Sequence, residues 1–203
     1  MPKRNAKDAA QTRADILSNA QELFARQGYA ATSTRQISAA AGVTIGAMFN
    51  HFHSKLHLFE TVFETLEMEL DANARAASNP SLGLSVLETF LSGVRKSLDF
   101  AERRDFHRIV FVEAPVVFGE DKRREIDARL GLKTVMRGTQ ALMTAGIIGE
   151  APVKPMAILL MGAMNAAGFA IARGEAGIDK DCLVDALRTL LTGSHPANPK
   201  EMQ

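Results

Sequence analysis

Residues 39–55, AAAGVTIGAMFNHFHSK, bring hydrogen-bond donors, small residues and apolar side chains together in one short run. Hydroxyl, imidazole and ammonium groups can donate to phosphate oxygens, while small residues such as Gly46 and Ala47 let a backbone approach base edges closely. An apolar side chain such as Ile45 can contact the methyl group of thymine. Together with the residues just before it, this run is predicted to contact duplex DNA through Thr34, Arg35, Thr44, Ile45, Gly46, Ala47, Phe49, Asn50, His51 and Lys55.

Two short helices must position these residues. Ser33-x-x-Gln36 has the form of a capping box and predicts a helix that begins there, and Thr44 is suited to cap a second helix over about 45–51. Helices of this length, joined by a turn that contains Gly42, form a helix-turn-helix whose second helix enters the major groove. The side chains expected to form its core are Ile37, Ala40, Ala41, Val43, Met48 and Phe52.

The charge distribution points to a polyanion at the N-terminal end. The chain carries a formal net charge of +1, of which residues 1–55 contribute +4 and the remainder −3. The arm MPKRNAK at residues 1–7 can be a minor-groove arm or a solvated tail, and both interpretations stay open. The single cysteine, Cys182, excludes an intramolecular disulfide, and the N-terminus lacks the apolar stretch of a signal peptide, so we expect a cytoplasmic protein.

Helical periodicity extends over nearly the whole chain without sustained strand alternation. We therefore expect an all-α fold with about nine helices. The predicted segments lie at about 8–27, 33–41, 45–51, 54–77, 82–101, 105–113, 121–145, 153–173 and 180–192.

Phenylalanine and methionine are concentrated in residues 100–169, beside interruptions at Pro115, Gly119 and Gly146 that leave room for irregular packing. Most of these side chains are expected in the core, and a fraction to line a pocket, because flat Phe and adaptable Met suit apolar ligands. The candidate ligand-binding residues are Phe100, Phe106, His107, Phe111, Phe118, Met136, Gln140, Met143, Met164, Asn165 and Phe169.

The segment at 156–172, MAILLMGAMNAAGFAIA, is apolar enough to raise the question of a membrane span. It is at the lower limit of the length that crosses a bilayer and is rich in weakly inserting Ala and Gly, so a helix in a protein interface is favoured and no membrane partner is expected. Small residues let helices approach closely, and the helices at 153–173 and 180–192 are predicted to pair with their copies in a homodimer. The predicted interface residues are Met161, Gly162, Ala163, Ala166, Ala167, Gly168, Leu183, Leu187 and Leu190.

The segment YAATSTRQISAAAGVTIGAMFNHFHSKLHLF, residues 29–59, resembles the DNA-binding segment of the TetR family of bacterial transcriptional regulators. Its A-G-V-T/S-x-G-x-x-Y/F-x-H/Y-F-x-S-K pattern is matched almost throughout, although Phe49 replaces the customary Tyr and Leu56 a common acidic residue. The resemblance implies a DNA-binding domain at 1–55, a ligand-binding and dimerisation domain at 56–193 with the fourth helix as connector, and a flexible tail at 194–203.

The resemblance and the residues together predict a ligand-responsive transcriptional regulator, a repressor that a small, mostly apolar molecule releases from a palindromic operator. Two other classes stay open, a constitutive DNA-binding protein without a ligand and a small helical enzyme. The sequence has no glycine-rich phosphate loop and no nucleophile elbow, so no catalytic residue and no cofactor are predicted. A metal site at His51, His53 and His57 is disfavoured, because their spacing crosses a helix end and a turn.

Overall fold

The computed structural model describes residues 6–193 of the chain, and that part consists of helices and their connections, with no strand. This confirms the predicted all-α class. The helices are α1 (Ala6–Ala31), α2 (Thr34–Ala40), α3 (Ile45–His51), α4 (Lys55–Ala77), α5 (Val86–Ala101), α6 (Arg104–Phe106), α7 (Ala114–Thr144), α8 (Val153–Arg173) and α9 (Lys180–Thr192), with a 3₁₀ turn at Pro80–Leu82 and a π-helical segment at His107–Glu113.

The chain folds into two compact units. The first unit comprises residues up to Glu67 together with Arg103–Ile126, and the second comprises Met68–Glu102 together with the residues from Asp127 onward. The limits of these units reflect which residues pack together. They differ from the predicted boundary at residue 55, which marks the end of the DNA-binding motif. That functional boundary stays a prediction, and the predicted arm at 1–7 and tail at 194–203 lie largely outside the described residues.

Local signals explain several helix limits. The bounds of α3, α8 and α9 agree with the predicted segments. The capping box of α2 is present, because the Gln36 amide donates to Ser33 Oγ at 3.2 Å and the Ser33 amide donates to Gln36 Oε1 at 2.8 Å. Gly28 interrupts α1 with φ 82° and ψ 169°, a left-handed φ that glycine adopts at little cost.

The region after residue 103 differs from the prediction. A three-residue α6 leads directly into the π-helical segment, which continues into α7 without a loop. Pro115 was expected to end a helix, but it is the second residue of α7 and directly follows the π-helical segment, so the helical stretch passes through it. The helix breaks at Gly119, another of the predicted interruptions, with φ 81° and ψ 160°.

The first unit has an aromatic core built from α1, α4 and the start of α7. The Phe59 ring lies edge-on to Phe24 and to Tyr29, each with a centroid distance of 5.1 Å. Phe118 adds to the same cluster at 5.8 Å from Phe59 and 5.3 Å from Phe63. This cluster supports the end of α1 just before the helix-turn-helix.

The second unit has an aliphatic core. Side chains from α5, α7, α8 and α9 pack together, and the buried members are Phe90, Leu91, Val94, Leu98, Val135, Leu142, Ala157, Leu160, Val184, Leu187 and Leu191. At one crossing a Cβ on Gly138 would lie 2.7 Å from Phe90, so this close approach of α7 to α5 requires glycine.

Candidate nucleic-acid interface

The inner side of α3 is firmly anchored. Met48 and Phe52 are fully buried, and Ile37 of α2 is buried with them. Three further residues predicted for this core are less enclosed, since Ala41 and Val43 are only partly buried and Ala40, the last residue of α2, is exposed. The buried side chains fix α3 against the rest of the domain and leave its other side free.

The outer side of α3 presents the predicted base-reading residues. Ile45 and Phe49 are 39% and 40% exposed, large values for apolar side chains, and Asn50 is also exposed. Ala47 and His51 are partly exposed. Apolar side chains left in water on a well-anchored helix are typical of a surface that a partner covers.

Gly46 is exposed in the first turn of α3, and its small size is not required by the fold. A Cβ built at this position meets no other atom within 4 Å. Glycine in a helix costs about 1 kcal/mol relative to alanine. The missing side chain therefore keeps the outer surface of α3 open to an approaching molecule.

The residues predicted to contact phosphate lie at the starts of α2 and α3. Thr44 is exposed, and its Oγ1 accepts the Ala47 amide at 3.1 Å, so its hydroxyl proton remains available to a phosphate. Arg35 is exposed and Thr34 is partly buried in the first turn of α2. The amides at these two helix ends add positive partial charge.

Lys55 occupies a different position from the one predicted. Its Nζ donates to the carbonyl oxygens of Tyr29 and Thr32, each at 2.9 Å, and lies 4.0 Å from the centroid of the Tyr29 ring. Two of its three N–H donors are thus used within the domain. The ammonium group thus lies at the corner between α1 and α2, and the phosphate contact expected of Lys55 stays a prediction.

Glu113, at the end of the π-helical segment, holds the same corner from another side. Its Oε2 accepts the Tyr29 amide at 3.0 Å, and its Oε1 pairs with Arg108 Nη2 at 2.8 Å. Burial raises the pKa of the Tyr29 hydroxyl, consistent with its place in the aromatic cluster. A Cβ on Gly28 would lie 2.5 Å from Glu113 Oε1, so the carboxylate fits only against glycine.

The histidines after α3 form a local structure. The His53 amide donates to His57 Nδ1 at 3.3 Å, and the two rings stack with centroids 5.3 Å apart. The His57 amide donates to Ser54 Oγ at 3.0 Å, so these groups close the turn that begins α4. Among residues 6–193 no group of three or more His, Cys, Asp or Glu side chains is arranged to hold a metal ion.

Two family models match separate parts of the chain. Residues 16–62 match the model described as bacterial regulatory proteins, tetR family, and residues 87–194 match the tetracyclin repressor-like, C-terminal domain. The second match alone covers more than half of the chain. The chain belongs to the TetR family of bacterial regulatory proteins.

Individual TetR-family proteins are similar over different lengths. The regulator AcrR of Shigella flexneri is 36% identical over 134 residues, 61% of this chain and 61% of AcrR. TtgR of Pseudomonas putida is 35% identical over 79 residues, 39% of this chain and 38% of TtgR. The chain thus spans less than two thirds of these relatives. A TetR-family transcriptional regulator of Pectobacterium atrosepticum has a crystal structure with a TM-score of 0.76, is 31% identical, and covers 94% of this chain and 97% of its own.

The candidate ligand-binding residues of this TetR-family chain are distributed over both compact units. In the first unit Phe106 packs edge-on against Phe111 with centroids 5.6 Å apart, Phe118 joins the aromatic core, and His107 is partly buried. In the second unit Phe100 and Met143 are buried, whereas Met136, Met164, Asn165 and Phe169 are partly buried. Gln140 is exposed and donates to Thr144 Oγ1 at 3.4 Å, so its side chain does not line an interior.

A cleft of about 510 Å³ lies between α1 and α6 and was not predicted. Charged side chains line it, among them Arg26, Arg103, Arg104 and Asp105. The Asp105 carboxylate pairs with Arg103 at 2.8 Å and accepts the Gln21 amide group at 2.8 Å. These groups tie α6 to α1 and do not suit a mostly apolar ligand.

The predicted dimer residues of α8 and α9 fall into two sets. Gly162, Ala163 and Ala166 are exposed on α8, and Leu190 on α9 is 76% exposed. Gly168 and Leu187 are buried within the protomer, which corrects their place in an outer interface, while Met161, Ala167 and Leu183 pack partly against the aliphatic core. Two exposed apolar residues that the prediction omitted, Ile158 and Leu159, extend the same face of α8.

Helix α8 is also the one described helix whose length and composition would suffice to cross a membrane, and 17% of its most apolar window is buried in the chain. Sequence reasoning found this helix and the interruption at Gly28, but it missed the contact between Tyr29 and Glu113. The local signal for that contact is the Gly28-Tyr29 pair near the end of α1, since Glu113 lies 84 residues from Tyr29.

Proposed function

We propose that this chain is a ligand-responsive transcriptional regulator that binds a palindromic DNA operator as a homodimer and represses transcription. The observation that carries the proposal is α3, which is anchored by Met48 and Phe52 and presents an uncrowded outer surface around Gly46. A helix that is rigid on one side and open on the other can enter the major groove without rearrangement.

Each outward residue has a chemical role in this proposal. Ile45 and Ala47 contact thymine methyl groups, and Asn50 has the amide that pairs with adenine. Arg35 and Thr44 contact phosphates and set the register of α3 in the groove. Phe49 contributes an apolar contact only, since it has no hydroxyl to donate to a phosphate.

A homodimer supplies the second reading head. One short helix reads too few bases for an operator, whereas two heads separated by one DNA turn of about 34–36 Å read a palindrome. The exposed small residues of α8, with Leu159 at 70% and Leu190 of α9 at 76% exposure, are the surface we assign to the partner copy.

The effector is proposed to be a small, mostly apolar molecule that binds in the C-terminal region and lowers operator affinity. Such a molecule acts only if it binds the DNA-competent and DNA-incompetent forms with different affinities. The family membership supports this proposal over a constitutive DNA-binding protein or an enzyme, and a cytoplasmic location follows from the same function.

Selection from random duplex DNA tests the proposal. The purified chain should enrich a two-fold symmetric sequence, and a screen of small apolar molecules should then find compounds that release it. If no sequence is enriched at low salt, the DNA-binding function is wrong. If an operator is found but no compound in a broad library changes its affinity, the constitutive DNA-binding protein is the better description.

A further inference from the structure

We propose that Glu113 is a positioning residue for DNA recognition, which fixes the corner between α1 and α2 and thereby aims α3. This inference rests on the proposed DNA-binding function. It adds the residue through which the π-helical segment influences DNA binding. Glu113 itself contacts no DNA in this proposal.

The corner that Glu113 holds is built from a broken helix. Gly28 interrupts α1, so the Tyr29 amide cannot donate to the carbonyl four residues earlier. Glu113 Oε2 accepts that amide at 3.0 Å. A hydrogen bond to a charged acceptor is stronger than one between neutral groups, so the carboxylate fixes the direction in which the chain leaves α1.

The carboxylate is in turn held on both sides. Arg108 Nη2 pairs with Glu113 Oε1 at 2.8 Å, and Gly28 leaves space for that oxygen because it has no Cβ. A methyl group at Gly28 would approach Glu113 Oε1 to 2.5 Å and Arg108 Nη2 to 2.8 Å. The three residues therefore form one close-fitting contact between α1 and the π-helical segment.

The corner passes this constraint on to α2. Lys55 Nζ donates to the carbonyl oxygens of Tyr29 and Thr32, and the next residue, Ser33, is the N-cap of α2. Tyr29 is thus held through its amide by Glu113 and through its carbonyl by Lys55. Because α2 and α3 share the buried core of Ile37 and Met48, the orientation of the corner sets the orientation of α3.

The π-helical geometry gives this contact a means of control. Glu113 is the last residue of the π-helical segment, and π-turns inside helices are often found at functional positions. A shift of that segment into α-helical register would rotate the carboxylate away from Tyr29. Effector binding that favours such a shift would release the corner and weaken specific recognition, without any contact between effector and DNA.

The test compares Glu113→Ala with Glu113→Gln, which retains an oxygen that can accept the Tyr29 amide. Glu88→Ala is the matched control, because Glu88 also pairs with an arginine, Arg188, at 3.0 Å but lies in the second unit. Affinity is measured for the selected operator and for random duplex, and amide hydrogen exchange is measured across residues 24–33 of the full chain.

Glu113→Ala should lose about tenfold in operator affinity, the scale of a lost hydrogen bond to a charged group, with little change on random duplex. Exchange at the Tyr29 amide should accelerate while α8 stays protected. Glu113→Gln should recover most of the operator affinity, and Glu88→Ala should match the wild type in both measurements.

Wild-type exchange at Tyr29 in Glu113→Ala would overturn the contact, whether or not an operator is known. Faster exchange with unchanged operator affinity would overturn the positioning role. An equal loss on operator and random duplex would also overturn it, because general destabilisation affects both. Failure of the wild type to select any operator is a separate result that refutes the proposed function.

A steric pair of variants gives a second check. Gly28→Ala should weaken operator binding through two effects, backbone strain at φ 82° and crowding against Glu113. In a Glu113→Ala background the same change should have a smaller effect, because the crowding oxygen is gone. Equal effects in both backgrounds would show that the two residues do not act together.

Discussion

The Lys55 ammonium group donates to the carbonyl oxygen of Thr32 across 2.9 Å, joining the first residue of α4 to the residue before the α2 N-cap. The start of α4 and the start of the helix-turn-helix are thereby fixed together. Two of the three N–H donors of the ammonium group are thus used within the domain.

Lys55→Met should therefore destabilise the chain without changing its phosphate contacts. The variant loses two charge-assisted hydrogen bonds, and we expect the melting temperature to fall by roughly 4–8 °C. The slope of log K against log salt for DNA binding should stay at the wild-type value. Lys133→Met, at an exposed position of α7, is the control. A flatter salt slope for Lys55→Met than for the wild type would show that Lys55 does contact a phosphate.

Arg35→Ala should show the opposite pattern. Arg35 is exposed at the start of α2, and loss of one phosphate contact reduces the salt slope by about 0.9 and weakens binding to all sequences. The melting temperature should change little. Fluorescence anisotropy titrations at several salt concentrations measure the slope, and a change confined to one operator sequence would contradict the assignment.

Gly46→Ala should raise stability and lower operator affinity. A Cβ at Gly46 meets no atom within 4 Å, and alanine in place of helical glycine stabilises by about 1 kcal/mol. The same methyl group stands between α3 and the bases, so operator affinity should fall about tenfold or more. Thermal unfolding and operator titration are measured together.

Gly131→Ala is the matched control for that change. Gly131 lies inside α7, where a new Cβ would make an ordinary 3.5 Å contact with Met161. It should gain stability and retain operator affinity. Unchanged DNA binding by Gly46→Ala would remove Gly46 from the interface.

Ala163→Arg should produce monomers. Ala163 is exposed on the apolar face of α8, and a buried unpaired guanidinium at the centre of a helix interface is strongly unfavourable. Sedimentation of the wild type and the variant at micromolar concentration measures the effect, and operator binding should be lost with the dimer. Ala141→Arg, at an exposed position of α7, should remain dimeric. A monomeric wild type would refute the interface.

Asp105→Asn should reduce the acid sensitivity of the chain. Burial raises the pKa of Asp105, but hydrogen bonds from Arg103, Gln21 and the Phe106 amide outweigh it and bring the pKa below the ordinary 3.8. A lowered folded pKa gives stability that is present above the unfolded value and lost as pH falls through the folded one.

The wild type should therefore lose more free energy of unfolding than Asp105→Asn when the pH falls below about 4. Urea unfolding at neutral and acid pH measures the difference, with Asp121→Asn, exposed on α7, as the control. Parallel pH profiles for the wild type and Asp105→Asn would contradict the role of this carboxylate.

Features that depend on neighbouring residues were predictable from the sequence. The capping box of α2, the Thr44 cap and the bounds of α8 and α9 each follow from spacing over a few residues. Contacts between residues far apart in the chain were not predictable in this way. Lys55 has the same charge whether it faces a phosphate or a carbonyl, and periodicity cannot reveal that Glu113 reaches Tyr29.

The same limit applies to the burial of apolar residues. A small-residue stripe predicts an interface but does not separate Ala163, which is exposed, from Gly168, which is buried in its own protomer. That distinction depends on how α8 is rotated against the aliphatic core. Rotation is set by packing with α5, a partner more than fifty residues away in the chain.

The π-helical segment from His107 to Glu113 makes this part of the chain sensitive to its length as well as its composition. A π-turn accommodates an extra residue compared with an α-turn, so deleting one residue here leaves no gap and lets a regular α-helix form. Single-residue insertions and deletions at this point are thus a route by which evolution could retune the regulator without altering any residue that faces DNA.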